Sequence, residues 1–547
     1  METISIVLVM LIAVVASGYL ARLSPLPLPA PLVQIATGAL IAYATHFRVA
    51  LDPEIFFLLF LPPLLFLDGW RIPKHGLFRD GWTILELALG LVVFTVVGVG
   101  FFIHWLIPAM PLAVAFALAA VLSPTDPIAV SGIAARTPIP KRVMRILEGE
   151  SLLNDASGLV CLRFAVAAAL TGGFSLADAS LTFLRLALGG VAIGISVTWS
   201  VAWAKDRLGK SLGEESGSQI LISLLIPFAA YLLAERLHCS GILAAVAAGI
   251  TMSYVEITGR VQAVTRVRRN VVWDTIHFSL NGIIFILLGE QLPGIVASAA
   301  ATLRASGNEE VWRLALYVGS IALALALLRL VWVWTSVRFT LFRRGLRRGQ
   351  GAATGPSWRL IAAMSLAGVR GAITLAGVLT LPLALNDGTP FPARDLAILL
   401  AASVIVVSML LAAIFLPLLL KSVDLPAEPS QQAAEEGVRV AAAEAAIRAI
   451  EDTQHAMAAG QADADLYADA AARLMDLYRQ RIEGRSLVGE GAAQVRKIDD
   501  IERRLRLAGL KAEREAVFRA ARGGDIEDDL ARRLVREIDL IETRYSA

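Results

Sequence analysis

The sequence predicts an all-α polytopic membrane protein of about thirteen transmembrane helices followed by a helical cytoplasmic tail. Three observations lead there. Of 547 residues, 56% are hydrophobic and only 18% charged, which is too apolar for a soluble globular chain. Apolar stretches recur from Met1 to Lys421, each of roughly twenty residues, the length that crosses a hydrocarbon core of about 30 Å. After Asp424 the composition turns to Ala, Glu, Arg and Asp, and no segment is apolar enough to span. The expected domains are residues 1–424 in the membrane and 425–547 in the cytoplasm.

Taken in order, the expected spans lie near 3–22, 27–44, 54–70, 82–107, 111–135, 142–170, 177–204, 217–236, 240–257, 271–293, 311–338, 358–382 and 394–420. Short polar or Pro/Gly breaks separate them. The first starts at Ile4 with no basic segment before it and no small-residue cleavage site, so it reads as a span and not as a removable signal. Basic residues then alternate between loops. One set holds Arg22; Arg71, Lys74 and Arg79; Arg136, Lys141 and Arg142; and Lys205, Arg207 and Lys210. It continues through Arg260, Arg266, Arg268 and Arg269 to Arg338, Arg343, Arg344, Arg347, Arg348 and Lys421. The other set holds little beyond Arg48, Arg236 and Arg304. Excess Lys and Arg marks the cytoplasmic side. That places the N-terminus outside the cell membrane and the C-terminus inside, and requires an odd number of spans. Cys161 and Cys239 show no disulfide framework or metal-ligand spacing, and each reads as a reduced thiol packed as a small hydrophobe.

The chemistry concentrates in two stretches, Ser123-Pro124-Thr125-Asp126-Pro127 and Glu148-Gly149-Glu150-Ser151-Leu152-Leu153-Asn154-Asp155. Both sit inside apolar segments. A charge at the bilayer centre costs at least about 2.5 kcal/mol, so an acid there is a functional candidate by default. Asp155 is fourteen residues past Lys141, roughly 21 Å along a helix. Asp126 is ten residues before Arg136, roughly 15 Å. Arg370 is eleven past Arg359, roughly 16 Å. Three ionisable groups on three spans thus reach similar depth, and mutual compensation in one buried site is the cheapest arrangement.

Asp155 is the leading candidate. A partly desolvated carboxylate holds a proton more readily than one in water, and ligates a small cation once deprotonated. One group that holds either ligand, but never both, is sufficient for exchange. Ser151 shares its helix face at i, i+4 spacing, and Asn154 offers a second neutral oxygen or orients the site. Pro124 and Pro127 remove backbone donors and disfavour helix, so the fifth span is expected to be extended at Thr125-Asp126. Thr125 then offers a hydroxyl or carbonyl to the ion, while Asp126 reads as support for the helix crossover, at the positive end of a half-helix. Arg370, within Gly368-Val369-Arg370-Gly371-Ala372, needs a carboxylate partner. Glu150 is the expected one, with Glu148 as the alternative. Asp68 is expected to line a cytoplasmic entrance or to pair with Arg71. Asn281, Glu290 and Gln291 either sit in a cavity or cap the tenth span. Arg163 has no obvious partner, and His277, Glu235, Glu256 and Arg329 read as interfacial or interhelical.

At these residues the chain resembles the monovalent cation:proton antiporter family, in the branch of bacterial NhaP-type antiporters and animal sodium/proton exchangers. The matching pieces are Leu61-Pro62-Pro63, Ser123-Pro124-Thr125-Asp126-Pro127, Glu150-Ser151-Leu152-Leu153-Asn154-Asp155 and Arg370-Gly371-Ala372. The resemblance implies two inverted six-helix repeats, around spans 1–6 and 8–13, with crossed interrupted helices at spans five and twelve. It implies a homodimer moving elevator-fashion, with Asp155 binding cation or proton and Thr125 and Ser151 as further ligands. It also implies a Glu150–Arg370 ion pair and, from Asn154 preceding Asp155, electroneutral one-for-one exchange. Two positions depart from the family pattern: Leu67 stands where relatives often have an acid, and Val369 where Trp is common.

The expected cargo is Na⁺, with Li⁺ or K⁺ as alternatives, against H⁺, and no cofactor is implied. A K⁺/H⁺ antiporter is the runner-up, and a channel-like conductor or an ion-sensing receptor is a different class. No nucleophile–base pair or metal cluster points to an enzyme. Residues 427–547 read as a small helical domain that regulates transport or stabilises a dimer, with breaks at Gly460, Gly484, Gly491 and Gly523-Gly524 and an apolar stripe through Leu530, Leu534, Ile538 and Ile541. Interspersed acids and bases there argue against nucleic acid as a partner.

Overall fold

The computed structural model describes residues 2–23, 29–45, 53–71, 86–126, 141–171, 176–212, 215–257, 263–305, 311–348, 358–385, 387–420, 429–459, 464–486, 490–523 and 526–546. The chain divides into two compact units, Met1–Asp424 and Leu425–Ala547. Of the loop cations that set the expected orientation, Arg48, Lys74, Arg79, Arg136, Arg260 and Lys421 lie outside the described residues.

Among the described residues the first unit is built of helices, with one isolated β-bridge between Ala384 and Pro390. Its helices are α1 (Glu2–Leu23), α2 (Ala30–Thr45) and α3 (Pro53–Arg71), then α4 (Leu91–Leu106) behind a π-turn at Glu86–Gly90, then α5 (Leu112–Leu122) and α6 (Lys141–Thr171). They continue as α7 (Leu176–Leu212), α8 (Ser216–Arg236), α9 (Gly241–Ile257), α10 (Ala263–Ala305) and α11 (Val311–Arg348). The last are α12 (Trp358–Leu366), α13 (Ala372–Leu379) and α14 (Arg394–Leu420). Among the described residues, six helices are long and apolar enough to cross a membrane and five more are apolar but shorter. The short ones include α5, which is cut where prolines were expected to break it. The molecule is a polytopic membrane protein. Several helices run past the expected ends. The largest difference is α10, which starts at Ala263, so Arg266, Arg268 and Arg269 lie in a helix and not in a loop. Arg269 is fully buried, pairs with Glu256 and lies 5.0 Å from the Trp70 ring centroid. That partnering lets the helix carry a cation inward.

Two helix groups pack against each other, α1–α3 with α7–α10, and α4–α6 with α11–α14. The first group is held by backbone contact. Gly38 on α2 abuts Ile286 on α10, and Gly289 on α10 abuts Ile35 on α2. In the same way Gly69 on α3 abuts Val246 on α9, and Gly249 on α9 abuts Phe66 on α3. A Cβ at any of these would strike a carbonyl oxygen, so close approach requires glycine. The contacts are reciprocal, α2 with α10 and α3 with α9. Such reciprocity is what a pseudo-two-fold relation produces.

Two helices, α5 and α12, end in extended chain. After α5 the chain is extended from Pro124 to Asp126, and between α12 and α13 it is non-helical from Gly368 to Gly371. The two breaks cross, with the Asp126 N–H donating to the Val369 carbonyl at 2.7 Å. Pro124 cannot donate to a helix, and the crossing recovers one of the backbone groups so freed.

The second unit comprises α15 (Pro429–Ala458), α16 (Ala464–Ser486), α17 (Glu490–Gly523) and α18 (Asp528–Ser546). Gly484 and Gly491, expected as breaks, lie inside α16 and α17, because a single glycine costs a helix only about 1 kcal/mol. Gly523 does end α17, whereas Gly460 and Gly524 lie outside the described residues. Of the stripe on α18, Ile538 is buried, Leu530 and Leu534 are half-buried and Ile541 is exposed. Arg514 joins α17 to α18 by ion pairs to Asp539, at 3.0 Å, and Glu542.

Candidate functional site

Helix α6 carries Glu150, Ser151, Asn154 and Asp155, all buried. The 3.6-residue period puts Ser151 and Asp155 on one face, and Asn154 beside Glu150 on the neighbouring one. The extended break after α5 brings Thr125 to this second face. Its hydroxyl accepts a hydrogen bond from Asn154 Nδ2 at 2.9 Å and donates to Glu150 Oε1 at 3.3 Å.

Glu150 is locked by Arg329 of α11. The guanidinium grips both carboxylate oxygens, Nη1 to Oε1 at 2.5 Å and Nη2 to Oε2 at 2.9 Å. Both side chains are almost wholly buried, and Arg329 Nε also donates to the Met364 carbonyl of α12 at 3.3 Å. Gly368 makes room for this, since a Cβ there would strike the Arg329 side chain. The expected Glu150–Arg370 pair is therefore corrected. Arg370 instead donates from Nε to the Leu122 carbonyl at 2.9 Å and from Nη1 to the Gly368 carbonyl. Leu122 is the last residue of α5 and Gly368 lies just beyond α12. Helix C-termini end in unpaired carbonyls and negative dipole charge, so a cation at the crossing is satisfied without a carboxylate. The side chain of Glu148, the alternative partner, lies outside the described residues.

At the opposite pole of the crossing, the Asp126 carboxylate rests on Gly371, where α13 begins, so close that a Cβ at Gly371 would collide with it. An acid at a helix N-terminus is favourably placed. Pro127 lies outside the described residues.

Asp155 faces elsewhere. It lines a small cavity together with Ser151, Thr125, Asp126 and Thr374 from its own helix group. The other group supplies the opposite wall, including Asp68 of α3 and Asn281 of α10. The charges acting most strongly on Asp155 are the acids Asp126, Asp68 and Glu150. Among the described residues no basic side chain pairs with it. Arg71 pairs with Asp274 of α10. Arg163 does have a partner, Glu235 of α8, at 2.9 Å. Gln291 donates to Glu290 at 2.7 Å, so these two bond to each other. Cys161 and Cys239 are unbridged.

Among the described residues, Asp155 is a buried carboxylate with no basic partner, set beside hydroxyls, an amide and two further acids at the crossing. Comparisons with known proteins place the chain in a family. A family model described as the transmembrane sodium/hydrogen exchanger matches residues 9–422. The chain belongs to the sodium/hydrogen exchanger family. Na(+)/H(+) exchanger YjcE of Escherichia coli (strain K12), itself described as uncharacterized, is 42% identical over 548 residues, covering 99% of this chain and 98% of that protein. A sodium, potassium, lithium and rubidium/H(+) antiporter of Bacillus subtilis (strain 168) is 36% identical over 556 residues, covering 100% of this chain and 78% of that protein. The solved sodium proton antiporter MjNhaP1 of Methanocaldococcus jannaschii shares the fold, with a TM-score of 0.58 at 18% identity, over 77% of this chain and 99% of that one. The exchanger-family match ends at residue 422, so it covers the membrane unit, while the Escherichia coli relative aligns through the tail as well.

Sequence reading missed Arg329 as the partner of Glu150. A signal was present: Arg329 is nine residues before Arg338, about 14 Å along the helix, at the depth that singled out Asp155, Asp126 and Arg370.

Proposed function

We propose that this exchanger-family protein carries a monovalent cation and H⁺ in opposite directions across the cell membrane, one for one, with Asp155 as the shared binding group. The observation that supports this most is the contrast between Asp155, open to a cavity and with no basic partner among the described residues, and Glu150, gripped by Arg329. A buried carboxylate without a partner must be neutralised by something. Either a proton or a cation does so, and each displaces the other. Obligatory exchange follows from a single group with two ligands.

Ser151 and Thr125 supply neutral oxygens to the cation, and Asn154 holds Thr125 in place. Beside Asp155 stands an amide and not a second acid, so one charge is exchanged for one charge and the cycle is electroneutral. Asp155 and its ligands ride on the group α4–α6 and α11–α14, and the other group forms the facing wall. Movement of the first against the second, as one body, exposes the site to each side in turn. The N-terminus is outside, the C-terminus and tail are cytoplasmic, and the working unit is a homodimer. Na⁺ is the leading cargo. The Bacillus subtilis relative is named for sodium, potassium, lithium and rubidium, which also supports K⁺ as cargo.

Reconstituted vesicles with an internal pH dye test this. Added Na⁺ or K⁺ should move protons in the opposite direction, and collapsing the membrane potential should leave the rate unchanged. Asp155→Asn should abolish exchange while the protein still elutes as folded material. Retained exchange in that variant would mean that another group carries the ions.

A further inference from the structure

The cavity has two walls, and only one of them holds Asp155. On the facing wall Asn281 of α10 is 7% exposed and lines the same space. Among the described residues, neither its Oδ1 nor its Nδ2 has a hydrogen-bond partner in the protein. Buried amides are nearly always satisfied, and leaving both ends unsatisfied is costly. Its neighbours Leu280, Ile284 and Phe285 belong to the apolar core and offer the amide no hydrogen bond. An Asn kept buried, unpaired and aimed at a carboxylate site is placed for a ligand.

We propose that Asn281 is a specificity-determining residue: its amide oxygen completes the shell of a cation held at Asp155, and it matters more for large alkali cations than for small ones. This rests on the exchange reading above. An amide oxygen is a neutral hard donor of the kind alkali cations accept. A larger cation gathers more oxygens at longer range than a smaller one, as Ca²⁺ does beside Mg²⁺. Li⁺ is satisfied by ligands close to Asp155 on the near wall. K⁺ also needs one from across the cavity.

Vesicle assays of the wild type, Asn281→Leu and Asn281→Ser with Li⁺, Na⁺ and K⁺ test this. The expected result is a KM for K⁺ raised about tenfold in Asn281→Leu, with Li⁺ changed less than about threefold and kcat largely kept. Asn281→Ser, which retains an oxygen of shorter reach, should fall between. Should Asn281→Leu fail to accumulate, Asn281→Ala, which opens space without adding apolar bulk, is measured in its place. As a readout without turnover, K⁺ should lose its thermal stabilisation of the purified variant while Li⁺ keeps it. Equal shifts for Li⁺ and K⁺, or none, overturn the proposal while exchange itself stands. A wild type that moves no protons in response to any cation overturns the exchange reading, and this one with it.

Discussion

Glu150 and Asp155 lie five residues apart on α6, both buried, and the fold treats them in opposite ways. On one side of the helix Arg329 holds Glu150 through both oxygens. On the other, Asp155 looks into a cavity whose other charged groups, Asp68 and Asp126, are acids. The difference lies in what surrounds each carboxylate and not in the carboxylates themselves. A charge with a permanent counterion becomes part of the frame. A charge without one has to exchange its neutralising partner with solution, and that is the property transport requires.

Removing Arg329 breaks this contrast most severely. Arg329→Met leaves Glu150 buried without its counterion, and losing one partner of a buried pair costs about 3–5 kcal/mol. Thermal unfolding in detergent should show a large drop. Glu150→Leu combined with Arg329→Met replaces the pair by apolar bulk and should recover most of the loss. If Arg329→Met is as stable as the wild type, Glu150 is not held as the geometry indicates.

Much of this site was legible in the sequence. Buried acids, prolines and neutral oxygen donors announce themselves by residue type and by depth along a helix, which need only the chain itself. Thr125, Ser151, Asn154 and Asp155 are legible that way; in the structure Asn154 bonds to Thr125, and Thr125, Ser151 and Asp155 line one cavity. The identity of Glu150's partner was not found, because two arginines on different spans sit at similar depth. Which one turns toward Glu150 depends on how α11 is rotated in its bundle. Arg370 looked the better candidate because its glycine-rich stretch signals a helix break. The break itself is what supplies it with other acceptors, the carbonyls of Leu122 and Gly368. The pairing of the two halves had a faint trace too. Ala36-x-Gly38-x4-Tyr43 on α2 repeats as Ala247-x-Gly249-x4-Tyr254 on α9, but only the reciprocal contacts give those glycines meaning.

Arg370 sharpens the comparison from a second direction, since it is a buried cation that satisfies carbonyls and not an acid. Arg370→Met removes charge-assisted hydrogen bonds, each worth about 1.5–3 kcal/mol, and leaves a helix end unsatisfied. The expected loss is smaller than for Arg329→Met, because no full charge is stranded. Arg370→Lys should recover part of it, as Lys carries the charge without the planar fork. Unfolding midpoints of the three variants side by side give the ranking. An Arg370→Met loss equal to that of Arg329→Met would mean that Arg370 does neutralise an acid after all.

Arg163 is the mild end of the series. It lies eight residues past Asp155 on α6 and pairs with Glu235 of α8 at 2.9 Å, yet its side chain is 48% exposed and that of Glu235 34%. An ion pair so open to its surroundings is worth about 0.2–1 kcal/mol, with both partners free to find other company when one is removed. Arg163→Met should therefore shift the unfolding midpoint little and leave cation dependence unchanged. Glu235 also accepts from the Gly241 N–H at 3.3 Å, at the start of α9, so it keeps a role without Arg163. The series Arg329, Arg370, Arg163 runs from a buried carboxylate partner, through buried carbonyl partners, to an exposed carboxylate partner. Stability losses that fall in that order would show that burial and the partner's charge, more than the ion-pair distance, decide what each arginine contributes.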